Sequence, residues 1–398
     1  MLGSWNAYGG RAWDAAAARA APCTSAACAA YADTTGYRPV NAPGRRVEGG
    51  ADPYAVDGDD TRWQPLLESN GRGFYYRQQH IVPQIGTEVL PRMPQLTWKP
   101  HLTAPAYDYP AEVEHVVDRL AALPANRTRK AMIELFDDKP TLFGFVASVA
   151  FFENVQAMSY EDTLMLTFGA SVAELDATVQ TWREKVHSDL VRPTTVIQRA
   201  GDRLLYTYNG DQASSKPEHI AARDFQTYLR TMPHAEFPSA SAGLCTAYAE
   251  FVDALLVGLY GTALADIVYP LRGPSSTTTT SSMPQGLPGG DGSVQGPPRN
   301  GGGPQGPPRG PPASNPNGPA HGAPRLHFKD MQQMADLCGE SRLWGGMHFT
   351  AAVPAGAELA KGIGTAAVQY ITELRAGDTW EGPFSQNRAA DWSRPACQ

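Results

Sequence analysis

A mainly helical protein, with α-helices packed as bundles behind long irregular N-terminal loops, is the fold class that three features of the sequence predict. Apolar residues recur at helical spacing through most of the stretch from 110 to 270 and again from 327 to 375. Residues 241–267, SAGLCTAYAEFVDALLVGLYGTALADI, read as one long apolar helix whose small residues allow close packing. Residues 37–110, by contrast, are rich in Gly, Pro, Asp and aromatic side chains and lack a period, so they read as turns and loops.

Composition narrows the function classes. The chain has 398 residues, enough for one large domain or two ordinary ones. Its net charge of −7 argues against a nucleic-acid partner, so any anion site is a local positive pocket in an acidic protein. No run of eighteen apolar residues exists, and no membrane span is expected. The first residues, MLGSWNAYGGRAWDAAAARA, lack the basic start and apolar core of a signal peptide and read like the inside of an Ala-rich helix. The expectation is a soluble protein whose chain begins partway into a longer product; a leader upstream would make it secreted. Cys23, Cys28, Cys245, Cys338 and Cys397 show no metal-type spacing and leave disulfide pairing and compartment open. Asn126-Arg-Thr is a glycosylation sequon of a kind common by chance. Nothing in the sequence sets the oligomeric state.

In chain order, residues 1–110 are expected to hold an N-terminal helical stretch over 4–32, interrupted by Pro22, followed by the irregular loops. Residues 111–272 form a helical core. Pro110 opens its first helix, 127–138 and an apolar 141–158 follow, and 161–191 supplies one or two more, ending at Arg192-Pro193. Residues 216–231 look like a short amphipathic helix, and 241–267 is the long one. Residues 273–324, with Ser-Thr tracts and repeated Gln-Gly-Pro-Pro-Arg, cannot bury a core and are expected to be a disordered insertion. The core resumes over 325–380 with helices at 327–338 and 355–375, and 381–398 is a tail.

Three stretches carry candidate chemistry. In Trp182-Arg-Glu-Lys185 to Arg192-Pro193, the two cations lie seven residues apart, about two helical turns, so the spacing places them on one face with Arg192 in the last turn before the proline. In Pro233-His234-Ala-Glu-Phe-Pro238-Ser239-Ala240-Ser241, a proline and small hydroxyl residues precede the long apolar helix; this places Ser239 to Ser241 at a helix N-terminus, where unpaired N–H groups attract anions. In Ser341-Arg342-Leu-Trp-Gly-Gly-Met-His348-Phe, an arginine and a histidine stand six residues apart around two glycines that permit close backbone approach. Taken singly, the first stretch reads as an ordinary surface helix and the second equally as a plain capped helix or an anion site. Their order makes them one constellation of Lys, Arg, Ser, Arg and His suited to an oxyanion.

The ordered pattern Lys-x6-Arg-Pro, Pro-Ser-x-x and Ser-Arg-x5-His resembles the vanadium-dependent haloperoxidases and the related type 2 phosphatidic acid phosphatases. Tyr37-Arg-Pro-Val-Asn41, Thr61-Arg-Trp-Gln-Pro65 and Phe136-Asp-Asp-Lys139 are similar to their loops, so the resemblance covers most of 30–375. It implies a helical bundle of the haloperoxidase and acid phosphatase type, with vanadate as cofactor and phosphate able to occupy the same site. His348 would be the axial vanadium ligand. Lys185, Arg192 and Arg342 would neutralise the equatorial oxygens, and Ser239 and the Ala240 N–H would donate to them. Trp182 matches a pocket residue, and His234 stands where the side chain tunes halide choice. The implied reaction is oxidation of a halide by hydrogen peroxide, with a small organic acceptor. The alternatives are a phosphatase acting through a phosphohistidine at His348, or an oxyanion-binding relative with altered chemistry. Two departures bear on the choice. Ser241 replaces the acid–base histidine of the family's Pro-Ser-Gly-His, with His234 and His187 as candidate substitutes. Ala352 replaces an aspartate that would orient the ligand imidazole, so another acceptor is needed.

Overall fold

The structure is a computed structural model that describes residues 39–41, 60–69, 75–86, 91–93, 96, 100–154, 157–270 and 325–377, with the pairs 13–14 and 19–20. The expected insertion 273–324 and the tail 381–398 lie outside the described residues. Of the helical stretch expected over 4–32, the residues described are Trp13–Asp14 and Arg19–Ala20, and these pair antiparallel instead.

Helices dominate. α1 (Tyr109–Ala122), α2 (Arg127–Asp137) and α3 (Lys139–Glu153) follow one another closely, each started by a side-chain cap. Asp108, Asn126 and Asp138 accept from Ala111, Arg129 and Thr141 N–H, satisfying donors that a helix start leaves open. α4 (Tyr160–Ser188) opens with a reciprocal capping box between Ser159 and Asp162. The short α5 (Pro193–Gln198) follows, then α6 (Ala240–Tyr260), capped by Ser239 and closed by Gly261 at φ 76°. α7 (Met331–Trp344), α8 (Ala352–Ala360) and α9 (Ile363–Arg375) complete the bundle.

α6 is the axis of the bundle and packs against α4, α7, α8 and α9. Among the described residues it is the one helix long and apolar enough to cross a membrane, with mean hydropathy 1.5, and most of it is buried within the bundle. A glycine of the partner helix permits contact: a Cβ on Gly364 of α9 would fall 2.3 Å from the Phe251 nitrogen of α6. The main core lies between these helices, and a second core sits under α1 and α2. Cys245 of α6 and Cys338 of α7 form a buried disulfide, a pairing the sequence left open.

Strands occur as antiparallel two-stranded pairs: β1 (Leu67–Ser69) with β2 (Tyr75–Arg77), β3 (Leu204–Thr207) with β4 (Glu218–Ala221), and β5 (Ala265–Pro270) with β6 (Arg325–Asp330). The helix expected over 216–231 is therefore corrected to a strand and a 3-10 turn, Ala222–Asp224. Its apolar residues are buried as the period suggested, including Phe225, Tyr228 and Leu229. Pairing of Leu205 with Ile220 prevails over weak helix propensity. Other boundaries change. The long helix stops at Gly261 rather than 267, and 355–375 divides at Gly362, whose φ of 84° interrupts the helix. The helix expected over 327–338 starts as strand up to Asp330 and runs over Met331–Trp344.

The irregular N-terminal segments brace the C-terminal end of α4. Trp63 N–H donates to the Asp189 carbonyl at 2.7 Å, and Val191 N–H to Thr61 at 2.9 Å. Arg62 donates to the Ser188 carbonyl, and Trp182 Nε1 to the Ile81 carbonyl at 2.9 Å.

Candidate active site

α4 carries Lys185 in its last turn and ends at Ser188 because Asp189 turns into the left-handed region, φ 47°. Residues 189–191 then run beside 61–63, and Arg192 is the N-cap of α5, with Pro193 just inside, where a missing N–H costs nothing. This corrects the expectation that Lys185 and Arg192 share one face of one helix. The cations reach the same place from different elements, brought there by tertiary pairing rather than helical repeat.

That place is the segment 233–239. Lys185 Nζ donates to the carbonyls of Ala235 at 2.8 Å and Glu236 at 3.0 Å. Arg192 Nε donates to the His234 carbonyl at 2.9 Å, Nη2 to the Ala235 carbonyl at 3.2 Å, and Nη1 to the Met347 carbonyl at 2.8 Å. Its guanidinium also meets both candidate histidines: Nη2 lies 2.9 Å from His234 Nδ1 and Nη1 lies 3.4 Å from His348 Nε2. A guanidinium has only protons to give, so His348 Nε2 faces it as an unprotonated acceptor, whereas His234 Nδ1 also lies 3.2 Å from the Ala235 carbonyl oxygen. The turn before His348 relies on Gly346, φ 74°, where a Cβ would meet Leu120 at 2.6 Å.

Lys185, Arg192 and Arg342 are each at most 1% exposed. Burial, then the Arg192 charge, holds the Lys185 ammonium well below the usual lysine range, while Glu236 pulls the other way. His348 and His234 are held well below the usual imidazole range by burial first and by Lys185 and Arg192 next, so both rings are neutral. Glu236 is fully buried; burial pushes its carboxyl up to about 7, against the pull of Arg192 and Lys185.

The remaining predicted residues fall around this centre. Ser239 caps α6, its Oγ accepting from Ala242 N–H at 3.4 Å and its N–H donating to the Ala352 carbonyl at 2.9 Å. Ala240 and Ser241 are buried in the first turn. The Trp182 ring lies 5.1 Å from the His234 ring. Arg342 lies near enough for its charge to depress His348, yet its hydrogen bonds run to Asp137 Oδ1 at 3.2 Å, the Ile133 carbonyl at 2.8 Å and Ser341 Oγ at 3.0 Å. His187 is stacked on His101 at 3.7 Å, and two residues on from Lys185 it faces the other side of α4.

Sequence reasoning missed two carboxylates and a histidine. Asp137 holds Arg342. Glu236 Oε1 lies 2.9 Å from His348 Nδ1. His80, at 1% exposure, packs edge-on to Trp63 and lies 6.4 Å from the His234 ring; burial lowers it to about 3. Glu236 had a usable signal. It lies inside the second motif between two prolines, and Ala352 had already left the imidazole in need of an acceptor.

Chemically, the arrangement offers buried cations, a neutral imidazole whose Nε2 lone pair faces a guanidinium, and the positive end of a long helix. That donor set fits an oxyanion of the phosphate or vanadate type. Fold and site together define a helical-bundle protein with a buried cationic centre at the start of its axial helix. Residues 165–286 and 305–377 match the family model described as the VCPO second helical-bundle domain, and this core belongs to the vanadium haloperoxidase superfamily. The fold is similar to that of a bacterial vanadium-dependent chloroperoxidase. To its apo form the TM-score is 0.64 at 22% identity, over 86% of this chain and 67% of that one. To the holo form the TM-score is 0.60 at 20% identity, over 88% and 66%. The chain thus spans about two thirds of the length of these structures. A comparison with curated proteins found no match.

Proposed function

We propose that this protein is a haloperoxidase-like enzyme that holds vanadate at His348 and oxidises halide with hydrogen peroxide, delivering the halogen to a small organic acceptor. The observation that carries the reading is His348 Nε2 facing the Arg192 guanidinium at 3.4 Å, within a buried cluster that also holds Lys185. Bound vanadate supplies activation of peroxide toward halide attack without a change of metal oxidation state. The chain's part is electrostatic. Arg192, Lys185 and Arg342 neutralise the oxyanion, Ser239 Oγ and the Ala240 N–H donate to it, and the neutral His348 ring offers its lone pair. Trp182 and His234 form the adjoining wall, where a halide would be selected.

The same cluster would serve phosphoryl transfer with His348 as nucleophile. Ser241 weighs against that reading, because a serine hydroxyl cannot protonate a leaving group near neutral pH. A paired assay tests both: bromination of a dione by vanadate, peroxide and bromide, beside hydrolysis of p-nitrophenyl phosphate without vanadate. The expected result is bromination that requires vanadate and is lost in His348→Ala. Phosphate release blocked by vanadate would move the reading to phosphatase, and silence in both arms from folded protein would leave an oxyanion-binding relative.

A further inference from the structure

We infer that Glu236 is the positioning residue for His348, fixing the imidazole as the Nδ1–H tautomer so that Nε2 presents its lone pair to the cationic cluster. The inference deepens the functional reading above and rests on it for the ligand. The sequence lacks a carboxylate at 352, where the resemblance placed the residue that orients the histidine. Ala352 is fully buried, packs with Leu190 and Phe237, and gives its carbonyl to Ser239 N–H. That position is committed to joining α8 to the start of α6.

The carboxylate arrives from the opposite direction, 112 residues before the histidine. Glu236 Oε1 accepts from His348 Nδ1 at 2.9 Å and from Phe349 N–H at 3.0 Å. Its Oε2 accepts from Tyr107 OH at 3.1 Å. Tyr107 is itself held by Phe349 and Tyr109, ring centroids 5.0 and 5.8 Å away. Both oxygens are thus fixed by donors from different segments, and the carboxylate cannot swing away from the imidazole. Arg192 and Glu236 address opposite ring nitrogens, one with protons to give and one with lone pairs, and both contacts require the same tautomer. Glu236 also follows the Ala235 and precedes the Phe237 whose carbonyls receive Lys185 and Ser188, so one segment sets both the cation and the ligand histidine.

The test uses full-length protein with 15N-labelled histidine, the His348 signals being those lost in His348→Gln. Wild type is expected to show a protonated Nδ1 and an unprotonated Nε2 as a single species. In Glu236→Ala the His348 signals should move to a mixture of tautomers, and vanadate affinity, read by calorimetry, should fall about 10–100-fold, as for other partners behind a metal ligand. Glu236→Gln preserves shape if the alanine variant does not fold; it should weaken the Nδ1–H hydrogen bond and reduce affinity by a smaller factor. A folded variant of either kind with wild-type His348 signals and wild-type affinity overturns the inference. Failure of wild type to bind vanadate or phosphate, with the tautomer shift intact, would instead overturn the functional reading and leave Glu236 as the residue that sets the ring.

Discussion

Lys185 carries a charge that its surroundings oppose, since burial and Arg192 both favour the neutral amine. A bound oxyanion would reverse that balance, so binding and protonation of Lys185 are linked. Lys185→Met should weaken vanadate binding by about 1.5–3 kcal/mol, the worth of a charge-assisted hydrogen bond. Because the depressed amine loses its proton earlier than a free lysine, the advantage of wild type over Lys185→Met should shrink as pH rises. Calorimetry on both proteins across pH checks the sign, and the pH-dependent ionisation of vanadate cancels between them. At this scale the cations, Ser239 and His348 could be proposed from the sequence because each motif has a characteristic local spacing, and the structure brings Lys185, Arg192 and His348 together. Asp137 acts on a partner 205 residues away, and an acidic residue there carries no mark of such a contact. Glu236, 112 residues from His348, was marked by its place inside the second motif and by the acceptor that Ala352 left wanting.

The helices were legible where a period ran for several turns and a cap stood before it, as in α1, α4 and α6. Reading failed where the deciding contact was distant. The apolar period over 216–231 was real but served a strand and turn, and the two-turn spacing from Lys185 to Arg192 spanned a break set by the segment at 61–63. Helix-to-helix approach can be tested at Gly356 of α8, where a Cβ would fall 2.2 Å from the Ser239 carbonyl oxygen. Alanine ordinarily favours a helix interior over glycine. Here Gly356→Ala should destabilise by about 1–3 kcal/mol as an overpacked contact. It should also weaken oxyanion binding, because the atom displaced belongs to the cap of α6. Thermal melting with a parallel binding titration would show both losses; normal binding in a folded variant would mean the start of α6 does not set the site.

Across the whole molecule, three motifs far apart in sequence are held by one axial helix, and the disulfide joins α6 to α7 between the second and third of them. Cys245 lies in the helix that Ser239 begins, and Cys338 lies one turn before Arg342. Reduction should lower stability by about 2–4 kcal/mol, measured by chemical denaturation with and without reductant. The bundle class was legible from composition and period, whereas the cross-link was not, since five cysteines give no unique pairing. The register of β5 and β6 has a different consequence. Pro270 pairs directly with Arg325, so two points far apart in sequence are joined side by side. The pairing acts as a clasp: it fixes α6 and α7 relative to each other whatever the number of residues between Pro270 and Arg325.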